Sequence, residues 1–528
     1  MNWRKGLVSF VGMAALLVGV AACGSSSKPQ ASSAAKNAVA VYGSTSSILG
    51  NSWDPAISYS NEIIVMANVY QGLLSYNPTT KKFTGVLATS WNESKDGLTW
   101  TFNLRHNVHF HDGTLMTSKQ VAASLERTIK LGQSASYIWD GVKSIAAPSE
   151  YQVVFHLSSP SPIDFAVASP YAAWIYNTAP LASHGKNYFQ NFHDDGTGPY
   201  EFASNQNGTV VLKQFKGYWG GWKGAHYTKV VFEDISSSST MAQDLTSGQL
   251  TYAETLPYNE LKALKTNPNV RETVTPSFQN LMAFLNMKKP PLTNPKVREA
   301  LSYAFPYRQV IQDVMHGQAI QGQGPIPHGL WGHDSSLPVY HQDLSKAKTL
   351  LQEAGIKPGS LTLTLTYTAG DPNEQAQTAL YKAALQQIGV TLAVRPMPWT
   401  AQWAMAKDPN VQNRQDIFEM YWWPDYTNPY SFVDSMFHCE STIVYNVAYY
   451  CNAQFDRDID AANTASGVNL SRAERLYSQA QQILFGANAA IYIYDEDYVR
   501  ATAKSMKGFV DNPSYPNVVF WYDTHPSS

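Results

Sequence analysis

The stretch from residue 361 to residue 395 limits the fold more than any other. Residues 361–367 read as a strand, 373–388 as a helix and 390–395 as a second strand. A strand–helix–strand connection closes right-handed, with its two strands parallel. Such a unit needs a sheet covered by helices. Further strand-like runs lie at 100–105, 151–157, 209–214, 229–235 and 490–494, and helical runs at 117–131, 295–304, 344–354 and 471–485. Thr117 or Ser118 stands at the N-cap of the first of these helices. This interleaving predicts an α/β or α+β chain without internal repeats. At 528 residues the chain is past the length at which one core usually divides. The 361–395 unit therefore predicts a second, sheet-centred lobe in the C-terminal half, with a cleft between lobes that closes over a small ligand.

The first 22 residues follow a different logic. Arg4 and Lys5 precede the apolar run Leu16-Leu17-Val18-Gly19-Val20-Ala21-Ala22, which ends at Cys23. A basic start, a short apolar core and small residues before a cysteine make a lipoprotein signal peptide, with Cys23 as the lipidated mature N-terminus. The run falls short of the roughly 20 apolar residues of a spanning helix. The Ser/Ala/Lys/Pro-rich stretch 23–38 is too polar to pack and reads as a flexible linker. No later segment is apolar enough to span. The expectation is an exported body held on the outer face of a membrane by lipid.

A formal net charge of −2 supplies no basic field for nucleic acid. The 31 tyrosines and 14 tryptophans provide amphipathic surface suited to small uncharged or zwitterionic ligands. Three cysteines make an odd count. With Cys23 lipidated, Cys439 and Cys451 remain as a pair, expected to close a local disulfide outside the cell. A metal site there would need more ligands than the neighbouring His438 supplies. His109 and His111 would share a strand face near His106, but they sit in a turn-rich segment and are not expected to ligate metal.

Several segments, in order, resemble the family 5 extracellular solute-binding proteins of ABC importers. They are Leu87-Ala88-Thr89-Ser90-Trp91, Asp96-Gly97-Leu98-Thr99-Trp100-Thr101-Phe102-Asn103-Leu104-Arg105, Phe110-His111-Asp112-Gly113, Gly196-Thr197-Gly198-Pro199-Tyr200, Tyr218-Trp219-Gly220, and Leu285-Asn286-Met287 leading into Val297-Arg298-Glu299-Ala300-Leu301-Ser302-Tyr303-Ala304. The Asp-Gly pairs are also turn chemistry. Where the family has Asp-Arg after this last helix, the chain has Pro306-Tyr307-Arg308, a departure expected to alter a helix end.

The segment Trp422-Trp423-Pro424-Asp425-Tyr426 resembles the peptide-binding branch, whose aspartate in a Trp-x-x-Asp-Tyr context pairs with the ligand's α-ammonium. The resemblance implies Asp425 for that role, main-chain contacts from Tyr421 and Trp423, apolar walls from Trp422 and Trp399, and a strand of the other lobe at Tyr59, Ser60 and Asn61 touching the peptide backbone. Read without it, Asp425 is equally an N-cap or turn carboxylate beside Asn428-Pro429, and Trp399 and Trp422 are equally core. Tyr137 and Trp139 could cap the cleft but are expected in the core. An arginine that helps hold a carboxylate in oligopeptide binders is replaced here by Glu419.

The resemblance implies a two-lobed periplasmic-binding-protein-like α/β fold. Lobe I with an extra subdomain would span 39–280, lobe II 281–492, and 493–528 would return to lobe I, with hinge crossings near 277–285 and 490–494. It implies no catalysis and no cofactor, but a monomer that captures short peptides and meets two permease subunits with cytoplasmic ATPases. An oligosaccharide ligand and a peptide-sensing role remain alternatives. An exported hydrolase would need a nucleophile elbow or zinc-protease helix, and neither Gly-x-Ser-x-Gly nor His-Glu-x-x-His occurs.

Overall fold

A computed structural model describes residues 38–45 and 52–527. The leader, Cys23 and the linker up to residue 37 lie outside them. No helix among the described residues is long and apolar enough to cross a membrane.

The predicted crossover unit is present. Strand Leu361–Thr368 runs parallel to strand Val390–Met397, and helix Pro372–Gln387 connects them. Asp371 caps that helix, its side chain accepting from Asn373 N at 2.9 Å and Glu374 N at 2.8 Å. Pro372 follows at the first helical position, where its missing N–H costs nothing. Helix Ser118–Leu131 likewise begins at Thr117, in a capping box with Gln120.

These two strands form one edge of an eleven-stranded sheet. From that edge inward come Ile417–Trp422, Val270–Leu285 and Ala490–Ala503, then Tyr252–Ala253, Val39–Ser44, Lys229–Asp234, Thr209–Gln214 and Tyr200–Gln206. A short strand, Ala319–Gln321, also pairs with Ala490–Ala503. The long antiparallel strands Val270–Leu285 and Ala490–Ala503 belong to both halves of the sheet. Val270 to Pro276 pair with Asp497 to Ala503 beside the first-lobe strands, and Asn280 to Phe284 pair with Ala490 to Asp495 beside Ile417–Trp422. Register is lost between Pro276 and Asn280.

Local chemistry accounts for the break. Pro276 brings no N–H to the ladder, and Phe278 N donates instead to Pro513 O of the C-terminal tail at 2.9 Å. Across this break the strand pair passes from the half of the sheet beside Tyr252–Ala253 to the half beside Ile417–Trp422. The tail also packs on the N-terminal lobe: Asn68 donates to Val519 O at 3.0 Å and accepts from Trp521 N at 2.9 Å.

A separate four-stranded antiparallel sheet, in the order Ala88–Glu93, Thr99–Leu104, Gln152–Leu157, Val142–Ser149, carries helix Ser118–Leu131 and forms a subdomain on the first lobe. Strand Thr99–Leu104 buries every second residue, Trp100, Phe102 and Leu104. The turn holding His111 locks this subdomain down. Its N–H donates to Gly196 O, its Nε2 meets Gly198 O at 3.0 Å, and its Nδ1 pairs with the Asp194 carboxylate. Both ring nitrogens of His111 are thus engaged within the protein, while His106 stacks on Tyr151. Gly198 is required by closeness, since a Cβ there would lie 2.6 Å from Asn68 O. Helix Pro295–Ala304 ends at extended Phe305, and Tyr307 begins a short new helix after Pro306.

Strand Ile417–Trp422 separates two apolar cores. Phe418, Met420 and Trp422 face the larger one, and Ile417 and Tyr421 face the second-lobe core. Cys439 and Cys451 are joined in a disulfide, as expected.

Candidate functional site

Strand Ile417–Trp422 pairs along its full length with Val270–Leu285 on one edge. On the other edge its pairing with Leu361–Thr368 reaches only Phe418. The chain therefore continues through Tyr421 and Trp423 to Asp425 with one edge beyond its neighbouring strand.

Asp425 is 2% exposed. Its Oδ1 accepts from the Tyr59 hydroxyl and its Oδ2 from the Tyr137 hydroxyl, each at 2.7 Å. Its backbone is held as firmly, with N donating to Ser431 Oγ at 2.8 Å and O accepting from Ser169 Oγ at 2.7 Å. No basic side chain pairs with it among the described residues. Burial pushes its carboxyl up to about 6, against the lowering effect of bonds from Tyr137, Tyr59 and Ser431. Burial, with the nearby Asp425 charge, raises both tyrosines well above their ordinary range, so they remain donors. Asp425 is not a helix cap. The next helix starts at Tyr430, whose N–H donates to Asn428 Oδ1 at 2.9 Å.

An aromatic wall leads from the surface toward this carboxylate. Trp399, 40% exposed, stacks on Trp403 at 5.4 Å. Trp403 packs on Tyr445, which lies 6.0 Å from the Tyr59 ring. Tyr59 sits edge-on to Tyr171, whose hydroxyl accepts from Trp423 Nε1 at 3.2 Å. Trp422 is buried, its Nε1 donating to Ser431 O and its ring edge-on to Tyr445. Tyr421 turns its side chain away, its hydroxyl 2.7 Å from that of Tyr494.

Two expectations are corrected. Tyr59, Ser60 and Asn61 form no strand but a turn into the short helix Ile63–Met66, because the buried Glu62 carboxylate accepts from Tyr59 N and Ser58 Oγ and folds the chain back. The side chain of Tyr59, not an extended backbone, reaches the site. Ser60 and Asn61 offer their carbonyls to Ile63 N and Ile64 N. Tyr137, expected in the core with Trp139, is instead the second donor to Asp425, while Trp139 is buried with Nε1 on Ala172 O.

A profile of the bacterial extracellular solute-binding proteins, family 5 (middle), matches residues 82–442. The chain belongs to this family. It is 30% identical over 475 residues to the "Probable D,D-dipeptide-binding periplasmic protein DdpA" of Escherichia coli (strain K12), covering 88% of this chain and 90% of that one. It is 29% identical over 490 residues to the glutathione-binding protein GsiB of Pectobacterium atrosepticum, covering 91% and 92%. Among solved structures, the periplasmic binding protein DppA of Helicobacter pylori, in complex with peptide STSA, superposes with a TM-score of 0.81 at 24% identity, covering 93% of this chain and 98% of that one. The fold is the two-lobed fold of family 5, a family of binding proteins.

Tyr171, Ser169, Tyr445 and Trp403 pack around Asp425 and Tyr59 without having been singled out from the sequence. Tyr445 had a usable signal, lying inside the loop that the cysteine pair closes. Tyr171 and Ser169 had none, since a Ser-Pro-Tyr turn carries no chemistry until the fold sets it beside Asp425.

Proposed function

We propose that this chain captures short peptides for an ABC importer, pairing the ligand's α-ammonium with Asp425 as the lobes close. The observation that carries this reading is a buried carboxylate whose donors are neutral hydroxyls and which faces no basic side chain among the described residues. An anion taken out of water at such cost favours a ligand that brings a cation. The strand edge that continues past Phe418 to Tyr421 and Trp423 supports main-chain pairing with an extended peptide, which reads no side chains and accepts many. The aromatic wall from Trp399 to Trp423 supplies adaptable apolar contact. The named ligands of the relatives, a D,D-dipeptide and glutathione, are compatible with this chemistry. An oligosaccharide brings no cation to Asp425.

In this reading the protein is a monomer lipidated at Cys23 and tethered beside its permease. Lobe I spans 39–280 with its subdomain, lobe II spans 281–492, and 493–528 return to lobe I. The register break at Pro276 to Asn280 acts as hinge. Calorimetry with matched free and N-acetylated di- and tripeptides tests the ammonium. Free peptides are expected to bind at least about thirtyfold more tightly; equal binding of the acetylated series sinks the proposal.

A further inference from the structure

A second constellation lies just beyond the peptide site. Helix Tyr430–Phe437 carries in its first turn Ser431, which holds both Asp425 and Trp422, and in its last turn Asp434, one turn before the C-cap His438. The disulfide Cys439–Cys451 then returns the chain to helix Ala453–Ser466, which carries Asp460. One ligand atom from each of Asp434, His438 and Asp460 lies within 4.8 Å of the other two.

We propose that Asp434, His438 and Asp460 bind one divalent first-row transition-metal ion of the zinc class. The spacing between His438 Nε2 and Asp460 Oδ2 is 3.8 Å, too long for a charged hydrogen bond of about 2.7–2.9 Å. It suits two donors that each lie about 2.0–2.2 Å from a shared ion. The imidazole is oriented from behind, because Nδ1 lies 3.1 Å from Cys439 O and donates to it, leaving the Nε2 lone pair facing the carboxylates. Asp460 is oriented too, with the Tyr430 hydroxyl donating to its Oδ1 at 3.0 Å and leaving Oδ2 for the ion. One imidazole with two carboxylates suits zinc and its neighbours better than calcium or magnesium, which take oxygen shells. An entry path exists, since the His438 and Asp460 side chains are 32% and 54% exposed. The ion would tie the end of the helix that steadies Asp425 to the helix beyond the disulfide, while water fills the remaining coordination.

The full chain, dialysed against chelator, is titrated with zinc chloride by calorimetry beside His438→Ala, Asp434→Asn and Asp460→Asn. Wild type is expected to take up one equivalent and to gain thermal stability, with affinity at least about tenfold weaker in each variant. Asp460→Asn alters an exposed side chain, and circular dichroism confirms that its fold is kept, so loss there reports on the site. No stoichiometric uptake by wild type, or unchanged affinity in His438→Ala and Asp460→Asn, overturns the site and leaves a histidine between two carboxylates. Calcium bound as tightly as zinc overturns the ion class. Peptide affinity measured on metal-free samples keeps this result separate from the peptide reading.

Discussion

Asp425 and the pair Glu374/Glu419 are buried to the same degree and end up in different charge states. Asp425 is 2% exposed and the two glutamates 0%. Both Asp425 oxygens accept from tyrosine hydroxyls, and its carboxyl is pushed only to about 6. Glu419 sits six residues earlier, facing helix Pro372–Gln387, and one oxygen accepts from Gln377 Nε2 and Thr378 Oγ1. One oxygen of Glu374 accepts from Thr368 N at 2.6 Å. The Oε1 atoms of both glutamates have no partner. Burial, with Asp371 and Glu419 nearby, pushes Glu374 to about 9, and burial pushes Glu419 to about 8. Donor supply, not depth, makes the difference. At neutral pH Asp425 is an anion that calls for a cation, while the glutamates are neutral acids that pack as polar core.

Removing the anion is the strongest test of that contrast. Asp425→Ala is expected to cost about 2–5 kcal/mol of peptide binding, at least thirtyfold in Kd, because the ligand's ammonium is left buried and unpaired. Calorimetry with one free dipeptide reads it, and an unchanged Kd would remove Asp425 from the site.

Titrating the anion has a smaller and reversible effect. The peptide's α-ammonium stays charged below about pH 7.7, whereas Asp425 takes up a proton as pH falls through about 6. Affinity should therefore hold from pH 7 to 6 and drop about tenfold per unit below that. In the ligand-free protein the sign is opposite. The folded pKa is raised, so the Asp425 contribution to stability is complete below about pH 4 and is lost as pH rises through 6. A Kd flat from pH 7 to 5 would show that the carboxyl is not the ammonium's partner.

What the sequence disclosed of this contrast follows from the range of each interaction. The crossover unit, the Thr117 cap and the alternation of Thr99–Leu104 are set by neighbours within a few residues and were legible. The local Trp-x-x-Asp-Tyr context singles out Asp425 as a residue to test. Its two donors were not legible, because Tyr59 and Tyr137 reach it across 366 and 288 residues, and Tyr59 does so from a turn that Glu62 imposes. Strand Val39–Ser44 showed no strong pattern, yet it lies between two parallel partners in the large sheet. Glu419 looked like a missing arginine; only the packed helix reveals it as a buried acid.

Removing one donor at a time converts the first environment toward the second. Tyr59→Phe or Tyr137→Phe strips one oxygen of Asp425, and a lost hydrogen bond to a charged group costs about 1.5–3 kcal/mol. The pH midpoint for peptide binding should rise above about 6 in either variant, further in the double variant, while the Kd well above that midpoint changes less than in Asp425→Ala. A midpoint that does not move would mean that the hydroxyls close the lobes without tuning the charge.

The glutamate pair gives the smallest effect on peptide binding. Its folded pKa values are raised, so its contribution to stability is full below about 4.5 and is lost as pH rises through 8 and 9. Glu419→Gln keeps the shape and the acceptor for Thr378 but cannot ionise. Urea unfolding should give nearly equal midpoints for variant and wild type near pH 4.5 and a higher midpoint for the variant at pH 7, with the gap widening up to about pH 8, because the unfolded wild-type carboxyl ionises while the folded one is held neutral. Peptide Kd at pH 7 should stay within about twofold, since surface or isosteric changes away from a site shift free energy by no more than about 0.5 kcal/mol. A tenfold loss of peptide affinity in Glu419→Gln would place this acid in the cleft beside Asp425, so that the ligand, and not the tyrosines alone, would divide the two environments.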